Sequence, residues 1–168
     1  MSNQTKISLI LDNIRSVHNV GSIFRTADCF AISHIYIAGY TPYPKLDNDN
    51  RLPHISNKLD EQISKTALGA EKSIGFSVYE NSTDAVIKAK DDGNIIAALE
   101  QSEDSIKLHE FNNSDPIAIV LGNEVDGVSN ELLKECKFTL EIEQFGKKES
   151  LNVSNAASIL MYSLRFNR

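Results

Sequence analysis

Short runs of β-branched and aliphatic residues recur along this chain, and a segment of helical periodicity separates most of them. That alternation constrains the fold more than any other feature. The apolar runs fall at 6–11, 34–38, 75–79, 94–99, 116–121 and 138–142. Helical patterns fall at 20–30, 60–71, 83–90, 130–135 and 151–165. Strands alternating with helices predict an α/β fold, a mainly parallel sheet flanked by helices. With 168 residues the chain can bury a core of its own, and the expectation is a single domain over 1–168. Ser82 and Ser129 suit helix starts and Gly93 a helix stop. The longest irregular stretch, 41–58, holds Pro42, Pro44 and Pro53. A loop of that length in a compact domain is often functional.

Several function classes drop out on composition. No apolar run reaches the length that spans a bilayer, and the first twelve residues lack the pattern of a secretory signal. Cys29 and Cys136 have no metal-ligand spacing and read as reduced core thiols, so a cytoplasmic protein without a metal is expected. The net charge of −6 weighs mildly against a nucleic-acid partner, although a local basic patch can sit on an acidic body.

Three segments carry more information. In Asn19-Val20-Gly21-Ser22-Ile23-Phe24-Arg25, the residues Val20, Ile23, Phe24, Ala27, Phe30 and Ala31 share one helical face. Arg25 falls off that face, toward solvent or a site. Asn19 is placed to cap the helix, and Gly21 permits close approach of a ligand or backbone. The second segment is the strand 117–121 followed by Gly122-Asn123-Glu124-Val125-Asp126-Gly127-Val128, a glycine loop opening a helix. Ligands of open α/β sheets bind beyond the carboxyl ends of strands, so a cofactor belongs here. Val128 stands where a phosphate-binding loop needs lysine, and the chain has no GxGxxG. Taken alone, the segment is a plain strand-to-helix turn. The third, Gly146-Lys147-Lys148-Glu149-Ser150-Leu151-Asn152-Val153-Ser154, is a basic loop entering the last helix. That helix has a core face at Val153, Ala156, Ala157, Leu160 and Leu164, and a second apolar stripe at Ile159, Tyr162 and Phe166. Two apolar faces suggest a helix buried on both, by an oligomer interface in a chain this small.

In order and spacing, Asn-x-Gly-x-x-x-Arg, Leu-Gly-Asn-Glu and Ser-Leu-Asn-Val-Ser resemble the three motifs of the SpoU/TrmH family of SPOUT-superfamily RNA 2′-O-ribose methyltransferases. The resemblance runs from Ile10 to Tyr162. It implies a trefoil-knotted α/β domain, one of the rare exceptions to unknotted chain paths. It also implies a homodimer, S-adenosylmethionine as cofactor, and methylation of a ribose 2′-hydroxyl in RNA. On the family's pattern, Leu121, Gly122, Asn123, Ile142 and Leu151 bind the cofactor. Arg25 is then the catalytic arginine, Asn19 its positioning partner, and Glu124, Ser150 and Asn152 complete the site. A guanidinium does not deprotonate in proteins, so Arg25 is expected to act as an electrostatic clamp.

The stretch before the third motif usually carries a proline and a methionine in the family; here it is Ile142-Glu143-Gln144-Phe145, so the contacts of 143–145 are expected to differ. Members with ribosomal substrates often resemble this core with an added N-terminal RNA-binding domain. Here the core alone is expected, which favours tRNA over rRNA, the D-loop guanosine foremost, with an accessory protein a possible partner. Candidate phosphate contacts are Arg15, Lys45, Arg51, Lys58, Lys65, Lys147 and Lys148. The alternatives are the same chemistry on rRNA, a catalytically silent RNA- or partner-binding module, and a generic nucleotide-binding α/β protein.

Overall fold

A computed structural model describes residues 5–166; the ends of the expected domain, 1–4 and 167–168, lie outside them. The strands are β1 (Ile7–Asp12), β2 (His34–Ala38), β3 (Phe76–Tyr79), β4 (Ile95–Leu99), β5 (Ile106–Lys107), β6 (Ile117–Leu121) and β7 (Phe138–Glu141). The helices are α1 (Val17–Cys29), α2 (Pro53–Ala67), α3 (Ala70–Ser73), α4 (Ser82–Asp91), α5 (Asn130–Glu135) and α6 (Val153–Phe166). A 3₁₀ turn at Leu108–Glu110 follows β5. The strands form one sheet in the order β3-β2-β1-β6-β4-β7-β5, with every neighbouring pair parallel.

Side chains alternate across this sheet and build two apolar layers. Leu9, Leu11, Ile35, Ile37, Ile119 and Leu121 meet α1, α2 and α6 on one face. Ile10, Tyr36, Ala98, Ala118 and Val120 meet α4 and α5 on the other. Strands covered on both faces read as continuous apolar runs, which is why six of the seven are visible in the sequence. β5 is not, because two residues carry no period.

The helix ends correct the sequence reading in several places. Ser16, not Asn19, caps α1, its hydroxyl accepting from the Asn19 N–H. Asn81, not Ser82, caps α4; the Ser82 hydroxyl instead donates to the buried carboxylate of Asp12 at the end of β1. Ser129 caps α5 as expected, and Gly93 follows α4 at φ 86°. The expected loop at 41–58 stops short, because Pro53 occupies the first turn of α2, where its missing N–H costs nothing. The expected helix at 60–71 is broken by Leu68 and Gly69, both in the left-handed region. The carboxylate of Glu71, buried behind that break, accepts from Ser64 Oγ and Gly69 N. Cys29 is exposed and Cys136 half-buried, so Cys29 is not a core thiol.

α6 sends Ala157, Leu160 and Met161 into the core and leaves Ile159, Tyr162 and Phe166 exposed. At its far end Arg165 donates to the carbonyls of Phe30, Ala31 and Thr5. Among the described residues no helix is long and apolar enough to cross a membrane.

At Gly21, α1 packs directly against the backbone of α2. A β-carbon there would lie 2.1 Å from Thr66 Oγ1 and 2.4 Å from the Ile63 carbonyl oxygen. The close approach that the sequence left open is therefore made by a helix backbone. Gly21→Ala should force the helices apart and destabilise the fold by about 1–3 kcal/mol, the usual cost of overpacking. A urea-denaturation midpoint equal to that of the native sequence would contradict this.

Candidate active site

Parallel strands end at the same edge, and the register brings Leu11, Ile37, Leu99 and Leu121 level there. Beyond β6 the chain turns sharply at Gly122, where a β-carbon would sit 2.4 Å from the Gly127 carbonyl carbon. Asn123 and Gly127 then exchange backbone hydrogen bonds of 3.1 and 3.0 Å, closing a tight loop. Gly127 sits at φ 68°, which glycine adopts without strain. Glu100, directly after β4, accepts the Val128 N–H at 3.0 Å and pins the loop from the other side. The Asn123 side chain is consumed by this scaffold. Its Nδ2 donates to Asn13 O (2.9 Å) and Tyr40 Oη (2.5 Å), and its Oδ1 accepts from Val125 N and Asp126 N.

Next to it, Glu124 starts a chain of bonds that joins all three sequence segments. Its carboxylate accepts Arg15 N at 2.9 Å, Ser16 N at 3.3 Å and Asn19 Nδ2 at 3.0 Å. It therefore covers unpaired N–H groups at the head of α1, where the helix dipole also favours an anion. Asn19 Oδ1 accepts from Asn152 Nδ2 at 3.1 Å. Asn152 Oδ1 in turn accepts from Ser154 N at 2.9 Å and from Ser154 Oγ at the head of α6. Partial burial pushes the Glu124 carboxyl up, but the bonds from Arg15, Asn19 and Ser16 outweigh it and hold the group below its usual range.

A cavity of about 540 Å³ opens beside this network. Its size lies within the roughly 300–1,000 Å³ typical of small-molecule sites. Leu121, Gly122, Asn123, Glu124, Ile142, Ser150 and Leu151, all named from the sequence, line it. Asn19 and Asn152 stand outside the wall and reach it through Glu124. Arg25 also stands outside, on the exposed face of α1, with no hydrogen-bond or ion-pair partner among the described residues. It follows Asn19 by six residues, a rise of about 9 Å along the helix.

Sequence reasoning missed Glu100, Gln101, Asp126, Glu141, Gln144 and Glu149 in the same wall. Glu100 and Glu141 had a usable signal, since each lies at the carboxyl end of a strand. Five acidic residues line the cavity (Glu100, Glu124, Asp126, Glu141 and Glu149), the Glu141 carboxylate being paired with Lys107, and neither lysine nor arginine lines it. Such a wall suits a cationic ligand and repels a phosphate. Arg51, a candidate phosphate contact, is committed elsewhere. It pairs with Asp49 at 2.5 Å, donates to the carbonyls of Tyr43 and Pro44, and stacks 3.6 Å from the Tyr43 ring.

The chain is 32% identical over 160 residues to the 23S rRNA (guanosine-2′-O-)-methyltransferase RlmB of Neisseria meningitidis, covering 95% of this chain and 58% of that protein. It is 27% identical over 165 residues to the tRNA (guanosine(18)-2′-O)-methyltransferase of Aquifex aeolicus, covering 98% and 71%. Across the curated relatives it spans 57% to 71% of their lengths. Among solved structures, an AdoMet-bound rRNA methyltransferase from Sinorhizobium meliloti superposes with a TM-score of 0.79 at 24% identity, covering 97% of this chain and 57% of that one, which establishes likeness of fold. A model of the SpoU rRNA Methylase family matches residues 6–162. With its three motifs drawn together by one chain of hydrogen bonds, this protein belongs to the SpoU/TrmH family of the SPOUT superfamily.

Proposed function

We propose that this chain is an S-adenosylmethionine-dependent RNA ribose 2′-O-methyltransferase that acts on tRNA, with the D-loop guanosine as its first candidate, in the cytoplasm and as a homodimer. The observation that carries the reading is the acidic, cation-free cavity bonded through Glu124, Asn19 and Asn152 to the head of both motif-bearing helices. S-adenosylmethionine fits that donor set, and when bound it supplies a methyl group already activated on a positively charged sulfur. Leu121, Gly122, Ile142 and Leu151 would hold it, and the acidic lining at Glu100 and Asp126 matches its positive charge. Asn123 has its amide fully engaged, so its part is to shape the wall.

What remains for the protein is to align the acceptor hydroxyl and stabilise its oxygen as the proton leaves. Arg25, without a partner among the described residues, would clamp the developing alkoxide and the adjoining phosphate, which can take the proton. Ser150, exposed on the cavity rim, would hydrogen-bond the ribose. Support for tRNA comes from the Aquifex aeolicus relative, matched over 98% of this chain. The rRNA reading is kept alive by the 32% identity to the Neisseria meningitidis enzyme. The homodimer is supported by Ile159, Tyr162 and Phe166, which lie exposed along α6, the last two with ring centroids 4.8 Å apart. A trefoil-knotted chain path belongs to the same proposed reading.

Methyl transfer from labelled S-adenosylmethionine to unmodified tRNA and to rRNA, with the products mapped, tests the activity and separates the substrates. Absence of transfer to either RNA would refute the reading. Arg25→Ala should lower the rate roughly 10²- to 10³-fold, as loss of one preorganised charge contact does, while leaving thermal stability and cofactor affinity intact. Light scattering at micromolar concentration should give the mass of a dimer, and a monomer would remove that part.

The same network predicts a pH dependence of stability. A carboxyl held below its unfolded value stabilises the fold fully above that value and ceases to as the pH falls through the folded one. Glu124 should therefore stabilise the protein at neutral pH and lose its effect below the ordinary glutamate value of 4.5. Urea midpoints of the native protein and Glu124→Gln should differ at neutral pH and converge in acid. A difference that is constant with pH would contradict the assignment.

A further inference from the structure

We propose that Tyr40 is a stacking platform for a nucleobase of the RNA beside the acceptor ribose, an inference that rests on the RNA-methylation reading above. Tyr40 leaves the sheet two residues after β2, at the same edge as the cavity, and the residue is 60% exposed. An exposed ring ordinarily rotates freely, but this one is held at both ends. Its backbone N–H donates to Asn13 Oδ1 at 3.2 Å, and its hydroxyl accepts from Asn123 Nδ2 at 2.5 Å. Asn123 Nδ2 also donates to Asn13 O at 2.9 Å, so two asparagines from separate strand ends close around one tyrosine.

The backbone is bent to allow this. Asn13 and Gly39 both lie in the left-handed region, at φ 54° and 65°. A β-carbon on Gly39 would fall 2.0 Å from Asn13 Oδ1, so only glycine leaves room for the clasp. Left-handed backbone at a non-glycine residue is uncommon and tends to mark functional sites. The outcome is an aromatic face already fixed in place, which loses little conformational freedom when something stacks on it.

Two things name the occupant. Arg15, two residues beyond Asn13, is exposed and has no side-chain partner among the described residues, while its own N–H is bonded to Glu124. Glu124 also adjoins Asn123, the residue that holds the tyrosine. A fixed aromatic face and an exposed arginine carried by the same bonded cluster supply what single-stranded nucleic acid needs, a ring for a base and a cation for a phosphate. The groups bonded to Tyr40 are amides, unlike the apolar centre of a protein–protein interface.

The test compares Tyr40→Ala with Tyr40→Phe, which keeps the ring and loses only the hydroxyl. Affinity for a fluorescent unmodified tRNA transcript is read by anisotropy, alongside S-adenosylmethionine affinity and thermal midpoint. Tyr40→Ala should weaken RNA binding roughly 5- to 150-fold, the range for loss of one stacked base, with cofactor affinity unchanged. Tyr40→Phe should stay close to the native protein. Unchanged RNA affinity in Tyr40→Ala would overturn the inference, and so would equal losses in both variants accompanied by weaker cofactor binding, which would mark a purely scaffolding role. A native protein that binds the transcript with this mutant pattern yet transfers no methyl to any RNA would refute the proposed activity alone. A native protein that does not bind RNA would overturn the stacking role as well.

Discussion

Every strand pair in this sheet is parallel, so every strand releases its chain at the same edge, and the site is assembled from what the strands release there. Asn13 follows β1, Tyr40 follows β2, Glu100 follows β4, Gly122 follows β6 and Ile142 follows β7. None of these residues touches another through local sequence. They meet because the register levels the strand ends, and hydrogen bonds then knit the released segments together. The two-layer core keeps that register, since a slip of one residue would send each side chain to the opposite packed layer.

The distribution of charge resolves how an acidic protein could serve an anionic substrate. The cavity wall holds carboxylates without a cation. Lys88 and Lys90 on α4 pair with Asp92 and Glu135, and Lys107 on β5 pairs with Glu141 on the neighbouring β7. Arg15, Arg25, Lys147 and Lys148 are left without a carboxylate partner among the described residues, and they lie around the motif segments. A net charge of −6 is thus a sum over regions of opposite use, and it says little about the surface that a phosphate would meet.

What could be read from the sequence follows from how each feature is encoded. Strands such as Ile117–Leu121 were legible because burial on both faces demands an unbroken apolar run. Helix ends were less so: Ser16 and Asn19 are both competent caps, and only the path of the chain decides between them. The cavity residues carried by the three motifs were found because residue type and spacing repeat a known pattern. Glu141 and Gln144 were not, because their proximity to Glu124 is a property of the sheet order. Arg51 was misjudged for the opposite reason. Nothing local distinguishes a solvated arginine from one wrapped by Asp49 and Tyr43.

The clasp of Arg165 on the carbonyls of Thr5, Phe30 and Ala31 has a bearing on how the molecule is made. The bonds joining the motifs likewise span most of the chain, from Asn19 to Glu124 and from Asn19 to Asn152. Closing contacts between such distant residues is slow, because the entropy of the intervening loop must be given up before the contact repays it. On a ribosome, the first helix emerges long before its later partners have been synthesised. β1 and α1 can meet β2 and α2 early, but their contacts with β6 and α6 must wait until those later segments have been made.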